Sequence, residues 1–585
     1  MTASLWTGRE ATDVDKRLRG VLALALAVVF AAGIVGATGC APTRPAGGGA
    51  GTGTTATPGG TLSYYIGGPA YIDPYNTQES EGTIVESQVF DSLTVVDPLD
   101  STKVLPAAAE SWKPNADATV WTFNLNKNGK YSDGSPVTAN DFIYAWNRIA
   151  NPKTINTATK KVDPSTISYH IALIKGYDEV QASKIPTMTG MKAIDDYTLE
   201  VTLTQPFADF EYVVAHPAYA PVPQKYVDGG VDYNGKKVAY GDMPIGNGPF
   251  KLSEPWKQGQ YIKVVANENY WGTKPLITGV DFKIFKDPDT AYTEFQAGTL
   301  DFTQIGEGKI KDAQAKYGTS PDGYTVNPGK QVLLGAQVST YYLVVNTKDK
   351  IMSNADLRKA VSYAINRQAI CDTIFEGTRA PADNIVPPPI AGYQPGVWKD
   401  SKYDVTAAEA AMTAAGYPAG KGLGTIKLSF NTGGGHEKIM QLIQADLAKI
   451  GIKTVFDSAD FPTYLKQLEA GNYQIGRLGW IADYPIMDNF MYPLFNSKSI
   501  DNYSKYSNPT VDSDINAARA MTVGAARIAA YQKVNETIQA TNPNIPIMFY
   551  KAHYVGSARV NELIYDPQGI PHFDKTWLTG GGAAK

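Results

Sequence analysis

Apolar residues along the chain follow two patterns that alternate with each other. One is a short run rich in β-branched and aromatic residues, of the length of a strand. Such runs occur at 61–66 (TLSYYI), 120–125 (VWTFNL), 341–346 (YYLVVN) and 545–550 (IPIMFY). The other pattern has the spacing of a helix, as in Leu357, Ala360 and Ala364. Strands that alternate with helices predict an α/β fold.

The segment 425–456 contains a strand-like run, a glycine-rich loop, a helical run that ends before Gly451, and a second strand-like run. This order predicts a parallel βαβ unit. His436 begins the helical run, at the end of the sheet where α/β proteins usually bind ligands. A solvated or locally hydrogen-bonded histidine is the alternative interpretation.

Two helix starts carry capping signals. Asn354 precedes a helical run, and its side chain is a favourable N-cap. Thr406 and Glu409 have the spacing of a capping box, which predicts a second helix with Thr406 as its N-cap and its end at Gly416.

The run RLGWIAD at 477–483 carries an arginine at one end and an aspartate at the other. If the run is extended, its side chains divide between two faces: Arg477, Gly479, Ile481 and Asp483 on one, and Leu478, Trp480 and Ala482 on the other. At about 3.3 Å per residue, the Cα atoms of the two charged residues lie about 20 Å apart. An extended peptide of about three or four residues spans that distance.

Such a peptide would place its α-amino group near the carboxylate and its own carboxylate near the guanidinium. Gly479 would let the peptide backbone approach closely. The alternative is a buried strand that ends in an ordinary aspartate before Tyr484 and Pro485.

Several motifs resemble those of one known family. GWIADYP, followed by NF and preceded by an arginine, resembles the ligand-binding strand of the oligopeptide-binding proteins of ABC importers. The segments 120–147 (VWTFNL to DFIYAWN) and 241–252 (GDMPIGNGPFKL) are similar to further motifs of that family. The resemblance extends from Gly60 to Phe573.

The resemblance implies roles for the charged residues. In that family the aspartate of the W-x-A-D-Y run binds the α-ammonium of the peptide, and the arginine six residues earlier can meet the far carboxylate. These residues correspond to Asp483 and Arg477. His436 would approach the carboxyl end of longer peptides.

The resemblance also implies how the peptide main chain is held. It would pair with residues 477–482 as an added strand, along Gly479, Trp480 and Ile481. Tyr169 is the expected tyrosine that helps to bind the peptide backbone. Main-chain pairing recognises the length and the ends of a peptide and accepts many side chains.

The implied fold is α/β and bilobal, similar to the periplasmic binding proteins of class II, cluster C, with an extra inserted domain. Lobe I would comprise residues 59–95, 224–338 and 550–578. The inserted domain II would comprise residues 96–223, and lobe III residues 339–549.

The N-terminus has the organisation of a signal peptide. Lys16, Arg17 and Arg19 precede an apolar run, and small residues follow it up to Cys40. The ending A-T-G-C resembles a bacterial lipobox, so residues 1–39 are expected to be a lipoprotein signal peptide, with Cys40 lipidated. Residues 40–58 would form a flexible tether. An uncleaved transmembrane anchor is the alternative.

Composition excludes several function classes. The chain has 585 residues, 43% hydrophobic and 19% charged, which fits two to four globular domains. A net charge of −4 gives no indication of nucleic-acid binding. The five histidines are isolated from one another, so no metal or other cofactor is expected. Neither G-x-S-x-G nor HExxH occurs, so no enzyme is expected. Cys371 is expected to be a buried, inert thiol.

The expected function is therefore that of an extracytoplasmic substrate-binding lipoprotein of an ABC importer. It would capture short oligopeptides by closing two lobes and deliver them to a permease and ATPase complex in the membrane, acting as a monomer. The alternatives are a binding protein of the same fold for a nickel chelate, haem or an oligosaccharide, and a peptide sensor without a transport role.

Overall fold

The computed structural model describes residues 58–306, 308–432 and 435–580. The predicted signal peptide, Cys40 and the predicted tether up to residue 57 lie outside the described residues. Within the described ranges, no helix is both long enough and apolar enough to cross a membrane.

Lobe I is built on a seven-stranded sheet. Its strands, in spatial order, are Phe250–Leu252, Tyr261–Ala266, Gly279–Ile284, Thr61–Ile66, Phe302–Gln304, Tyr554–Gly556 and Val332–Leu333. In the central strand, Leu62, Tyr64 and Ile66 alternate along one face and are at most 2% exposed. The helices against this sheet are Ser80–Val89, Pro288–Gln296 and Ile310–Tyr317. The short strands Thr325–Val326, Val560–Asn561, Leu563–Tyr565, Pro571–His572 and Trp577–Leu578 pair among themselves beside it.

A separate four-stranded antiparallel sheet lies in the chain between strand Thr61–Ile66 and the next strand of lobe I. In spatial order it contains Ala109–Pro114, Val120–Leu125, Thr198–Thr202 and Met191–Asp195. Two hairpins accompany it, Thr94–Asp97 with Asp100–Pro106 and Val231–Tyr233 with Lys236–Val238. The helices in this region are Ala139–Ala150, Tyr177–Gln181, Phe210–Val213 and Gln224–Gly229. This sheet is therefore an insertion into the lobe I sheet.

Lobe III contains a six-stranded sheet. Its strands, in spatial order, are Arg379–Pro381, Asn544–Lys551, Ala336–Val345, Ile475–Ile481, Thr425–Asn431 and Lys453–Ala459. Its helices are Ala355–Ala364, Arg367–Phe375, Val405–Ala414, His436–Lys449, Phe461–Glu469, Asp488–Phe495, Pro509–Ala520 and Ala525–Gln539. The predicted βαβ unit is confirmed, because Thr425–Asn431 and Lys453–Ala459 are parallel neighbours.

One of the two capping predictions is confirmed. The Asn354 side chain accepts from the N–H groups of Asp356 and Leu357, as an N-cap does. The Thr406 capping box is wrong, because the helix begins at Val405 and its N-cap is Asp404, whose Oδ1 accepts from the Ala407 N–H at 2.9 Å. A carboxylate two residues earlier already satisfies the first turn.

The chain passes twice between the sheets of lobe I and lobe III. One crossing joins Val332–Leu333 to Ala336–Val345, and the other joins Asn544–Lys551 to Tyr554–Gly556. The crossings are bonded to each other, since the Ala552 N–H donates to the Gly335 carbonyl at 2.8 Å. Two lobes joined by paired segments are the geometry of hinge closure, and the predicted bilobal α/β fold with an insertion is confirmed.

Candidate functional site

The strand Ile475–Ile481 has one paired edge and one partly open edge. Along its whole length it pairs antiparallel with Ala336–Val345. On its other side, Thr425–Asn431 pairs with it only at Ile475 and Gly476. From Arg477 onward, no strand of the described chain pairs with this second edge.

The main-chain groups on the open edge can be identified from their neighbours. The Arg477 carbonyl accepts from Tyr464 Oη at 2.8 Å, on the side away from Ala336–Val345. The Ala482 N–H points the opposite way and donates to the Val338 carbonyl at 3.0 Å. Because main-chain direction alternates along a strand, the N–H and C=O groups of Gly479 and Ile481 face the open edge. This edge can therefore accept one more strand.

Gly479 leaves space on the side-chain face of this strand. A Cβ placed on it would lie 3.4 Å from Tyr550 Oη and 3.9 Å from Arg477 Nη1, which is ordinary contact. The next side chain on that face, Ile481, is 63% exposed. A side chain at position 479 would fit within the protein and would project from the same face of the strand as Ile481.

The structure brings Arg477 and His436 together. Arg477 Nη2 contacts His436 Nε2, and the guanidinium carbon lies 5.4 Å from the ring centroid of Tyr341. The Arg477 Nε atom is buried without a hydrogen-bond partner. Among the described residues, no carboxylate lies within ion-pair distance of this guanidinium. This end of the site is therefore open to an anion.

His436 is neutral at pH 7. Burial, followed by the Arg477 cation, lowers its pKa to about 4. Because a guanidinium only donates hydrogen bonds, His436 Nε2 is the acceptor in their contact and Nδ1 carries the ring proton. Nδ1 is buried and has no hydrogen-bond partner in the described structure. The histidine and arginine together thus offer unused N–H donors.

Asp483 lies two residues beyond the end of the strand at Ile481. Its side chain is partly exposed, and its Oδ2 accepts from Asn489 Nδ2 at 3.4 Å. Burial raises the pKa of this carboxyl, against the opposing effects of His216 and of the hydrogen bond from Asn489. Within the described ranges no cation pairs with it. The acidic end of the site is open to a cation.

Tyr169 lies close enough to Asp483 for their charges to interact. Burial, then the Asp483 carboxylate, raises the pKa of Tyr169. The Tyr169 ring is 42% exposed and lies 4.3 Å, between centroids, from His170, which stacks on His216 at 4.2 Å. Burial lowers the pKa of both histidines to about 3, so both are neutral at pH 7.

Four residues of the site were not anticipated from the sequence. Asn489 contacts Asp483, His216 interacts with the same carboxylate, and Tyr341 and Tyr550 flank Arg477 and Gly479. Only Asn489 had a sequence signal, because it belongs to the NF pair that follows GWIADYP. The other three come from distant parts of the chain.

Neither a metal centre nor a reactive thiol is present in the described residues. No group of three or more His, Cys, Asp or Glu side chains is arranged there to hold a metal ion. Cys371 is buried, as predicted, and burial raises its pKa to about 12, which disfavours the thiolate.

Two α/β lobes, with an open strand edge between a carboxylate and a guanidinium, define a solute-binding protein. The family model of bacterial extracellular solute-binding proteins, family 5 Middle, matches residues 103–502, and the chain belongs to this family. Members of the family are extracytoplasmic binding proteins.

Known relatives cover most of the chain. It is 30% identical to the periplasmic oligopeptide-binding protein OppA of Escherichia coli over 488 residues, which is 82% of this chain and 85% of that protein. It is 27% identical to the oligopeptide-binding protein OppA of Bacillus subtilis, over 87% of this chain and 91% of that protein. The crystal structure of Haemophilus influenzae OppA in complex with RPPGFSPFR has a TM-score of 0.67 at 26% identity, covering 88% of this chain and 99% of that one.

Proposed function

We propose that this protein captures short oligopeptides between its two lobes and delivers them to the membrane complex of an ABC importer. The observation that carries the proposal is the open edge of Ile475–Ile481, with an unpaired guanidinium near one end and an unpaired carboxylate beyond the other. Membership of the solute-binding family and the peptide-binding relatives support the same conclusion.

The α-ammonium of the peptide binds the Asp483 carboxylate. A charge-assisted hydrogen bond of this kind is about twice as strong as a neutral one. When the lobes close and exclude water, a carboxylate without its ammonium partner becomes costly, so closure favours a free amino terminus. The exposed Tyr169 ring lies beside this end and packs on the first part of the peptide.

The peptide main chain pairs with the N–H and C=O groups of Gly479 and Ile481 as an added strand. Trp480 holds this end of the strand in place, since its indole N–H donates to Asn489 Oδ1 at 3.0 Å. Main-chain pairing does not read side chains, so one site accepts many sequences. Arg477 binds the terminal carboxylate, and His436 supplies a further donor toward the carboxyl end of longer peptides.

The anchoring and the domain boundaries complete the proposal. Cleavage before Cys40 and lipidation of that residue place the protein at the outer face of the cell membrane, on a tether up to residue 58. Residues 59–95, 224–338 and 550–578 form lobe I, 96–223 the inserted domain II, and 339–549 lobe III. The protein acts as a monomer and needs no cofactor.

Calorimetry with paired peptides tests the proposal. We expect tetra-alanine to bind the wild-type protein and N-acetyl-tetra-alanine to bind poorly. Removing one partner of a buried charge pair costs about 2–5 kcal/mol, so Asp483→Asn should weaken binding of the free peptide about 30-fold or more. Ser557→Ala, in lobe I, serves as a control and should bind as the wild type does. Equal wild-type affinity for the free and acetylated peptides would contradict the proposal.

A further inference from the structure

Asn489 contacts both ends of the turn that carries Asp483. It lies in the first turn of helix Asp488–Phe495 and is 1% exposed. Its Oδ1 accepts from the Trp480 indole N–H at 3.0 Å and from the Asp483 main-chain N–H at 3.2 Å. Its Nδ2 donates to Asp483 Oδ2 at 3.4 Å. One buried amide thus joins the binding strand to the carboxylate.

The orientation of this amide is determined by its partners. The indole N–H and the main-chain N–H can only donate, so the atom that faces both of them is the oxygen. The NH₂ group must then face Asp483, whose ionised carboxylate can only accept. The amide therefore favours the ionised carboxylate, because a charged oxygen accepts its hydrogen bond more strongly than the oxygen of the protonated acid does.

The first residue of the helix that carries Asn489 is fixed by contacts with two other helices. The neighbouring residue Asp488 is 1% exposed, and its Oδ1 accepts from Tyr531 Oη at 2.9 Å and lies 3.4 Å from Arg519 Nε. Two partners from two other helices fix the start of the helix, so Asn489 has little freedom to move with Asp483. The amide is a rigid support.

Asp483 needs such a support because the strand does not provide one. The last main-chain bond to Ala336–Val345 is made by the Ala482 N–H, so Asp483 lies outside the strand and its direction is not set by side-chain alternation. Building on the proposed function, we propose that Asn489 is a positioning residue that orients the Asp483 carboxylate toward the α-ammonium of the peptide and keeps it ionised.

The first test uses a matched pair of variants. Asn535 is also 1% exposed, its Oδ1 accepts from the Trp398 indole N–H at 2.8 Å, and its Nδ2 donates to Asn384 Oδ1 at 2.8 Å. It thus has the same environment as Asn489 without a carboxylate of the site. Asn489→Leu and Asn535→Leu should lower the melting temperature to a similar extent, because each leaves an indole N–H unpaired.

Peptide affinity should differ between Asn489→Leu and Asn535→Leu. For Asn489→Leu we expect the affinity for tetra-alanine to fall about tenfold or more, because a hydrogen bond to a charged group is lost. The affinity for N-acetyl-tetra-alanine, which cannot use Asp483 in this way, should change by less than about threefold. For Asn535→Leu the ratio of the two affinities should equal that of the wild-type protein.

A second variant tests the charge and does not depend on removing a side chain. Asn489→Asp keeps the oxygen that accepts from Trp480 and Asp483 but places a carboxylate next to Asp483 Oδ2. Two adjacent carboxylates hold one proton more tightly, which raises the pKa of the pair. Its affinity for tetra-alanine, measured from pH 7.5 to pH 5, should fall about tenfold more than that of the wild type. Asn535→Asp should give a profile parallel to the wild type.

The outcomes are distinguishable. If the wild type prefers the free peptide, but Asn489→Leu and Asn535→Leu change the preference equally, or the Asn489→Asp profile is parallel to the wild type, the positioning role is wrong and the proposed function stands. If the wild type itself does not distinguish the two peptides, both are wrong.

Discussion

At the scale of single residues, the proposed function depends on the charge of Asp483. Burial raises the pKa of this carboxyl in the free protein, while an ammonium ligand stabilises the ionised form. Below the raised pKa, binding must release a proton, so the affinity falls as the pH is lowered through that pKa and is constant above it. His436 and His216 have pKa values of about 4 and 3, while burial and then the Asp483 carboxylate raise the pKa of the neighbouring Asp501 to about 6.

The first prediction follows from this charge. Affinity for tetra-alanine should be highest near neutral pH and should decline as the pH is lowered, as calorimetry at each pH would show. Asp483→Asn should reduce the decline and leave the part that comes from Asp501, whose pKa burial and then the Asp483 carboxylate raise to about 6. A wild-type affinity that rises on acidification would contradict the role of Asp483.

The second prediction concerns the end of the site that would bind the carboxylate of the peptide. Arg477→Ala should weaken binding most for peptides whose carboxylate reaches the guanidinium. His436→Ala should matter only for longer peptides, whose carboxyl end would reach the unpaired Nδ1–H of the histidine that contacts Arg477. Calorimetry with di-, tri-, tetra- and penta-alanine would measure both dependences. Losses that are uniform across the four lengths would argue against a carboxylate site here.

The spacing of Arg477 and Asp483 suggested a site with two charged ends, and the resemblance to the oligopeptide-binding proteins supplied the role of each charge, which stays a prediction. It could not predict how Asp483 is held. The strand ends before this residue, and the side chain that orients it comes from the helix that follows. Nor could spacing place His216, which lies more than 260 residues earlier in the chain, in the segment inserted into the lobe I sheet, because its position depends on tertiary packing.

At the scale of elements, the open edge of Ile475–Ile481 is the central feature. Sequence patterns predicted the strand and the neighbouring βαβ unit, since both depend on local periodicity. They could not show that Thr425–Asn431 pairs with only the first two residues of the strand, because strand order and register are set by tertiary packing. The prediction of Thr406 as the N-cap was wrong because Asp404, two residues earlier, accepts from an N–H group of the first turn instead.

The third prediction tests this edge. Gly479→Ala should leave the melting temperature nearly unchanged, because the added Cβ makes only ordinary contacts in the free protein. It should nevertheless weaken peptide binding, since the methyl group would crowd the neighbouring side chain of a peptide that pairs as an added strand. Thermal melts and calorimetry on the same preparation would measure both. A variant that binds as tightly as the wild type would show that peptides do not approach Gly479.

At the scale of the whole molecule, a buried ion pair joins the segment inserted into the lobe I sheet to a helix of lobe III. Arg527, in helix Ala525–Gln539, contacts Asp209, which precedes helix Phe210–Val213. Asp209 is 0% exposed and Arg527 is 5% exposed. Burial raises the pKa of Asp209 to about 7, against the opposing effect of Arg527. The attraction between the two charges therefore has to offset the large free-energy cost of removing both from water.

The fourth prediction uses this balance. Arg527→Met should destabilise the protein by about 3–5 kcal/mol in urea unfolding, because it leaves the Asp209 carboxylate buried and unpaired. Combining it with Asp209→Leu should restore most of the loss, because an apolar pair of similar volume has no charge to desolvate. A double variant less stable than Arg527→Met would show that packing, and not the unpaired charge, determines the cost.

The identity of the ligand that remains bound during purification tests the central claim most directly. We expect native mass spectrometry, followed by release and fragmentation, to show a mixture of short peptides with free amino and carboxyl ends and many different side chains. A single bound species that is a metal chelate, a haem or an oligosaccharide, or peptides whose amino ends are blocked, would contradict peptide capture between Asp483 and Arg477.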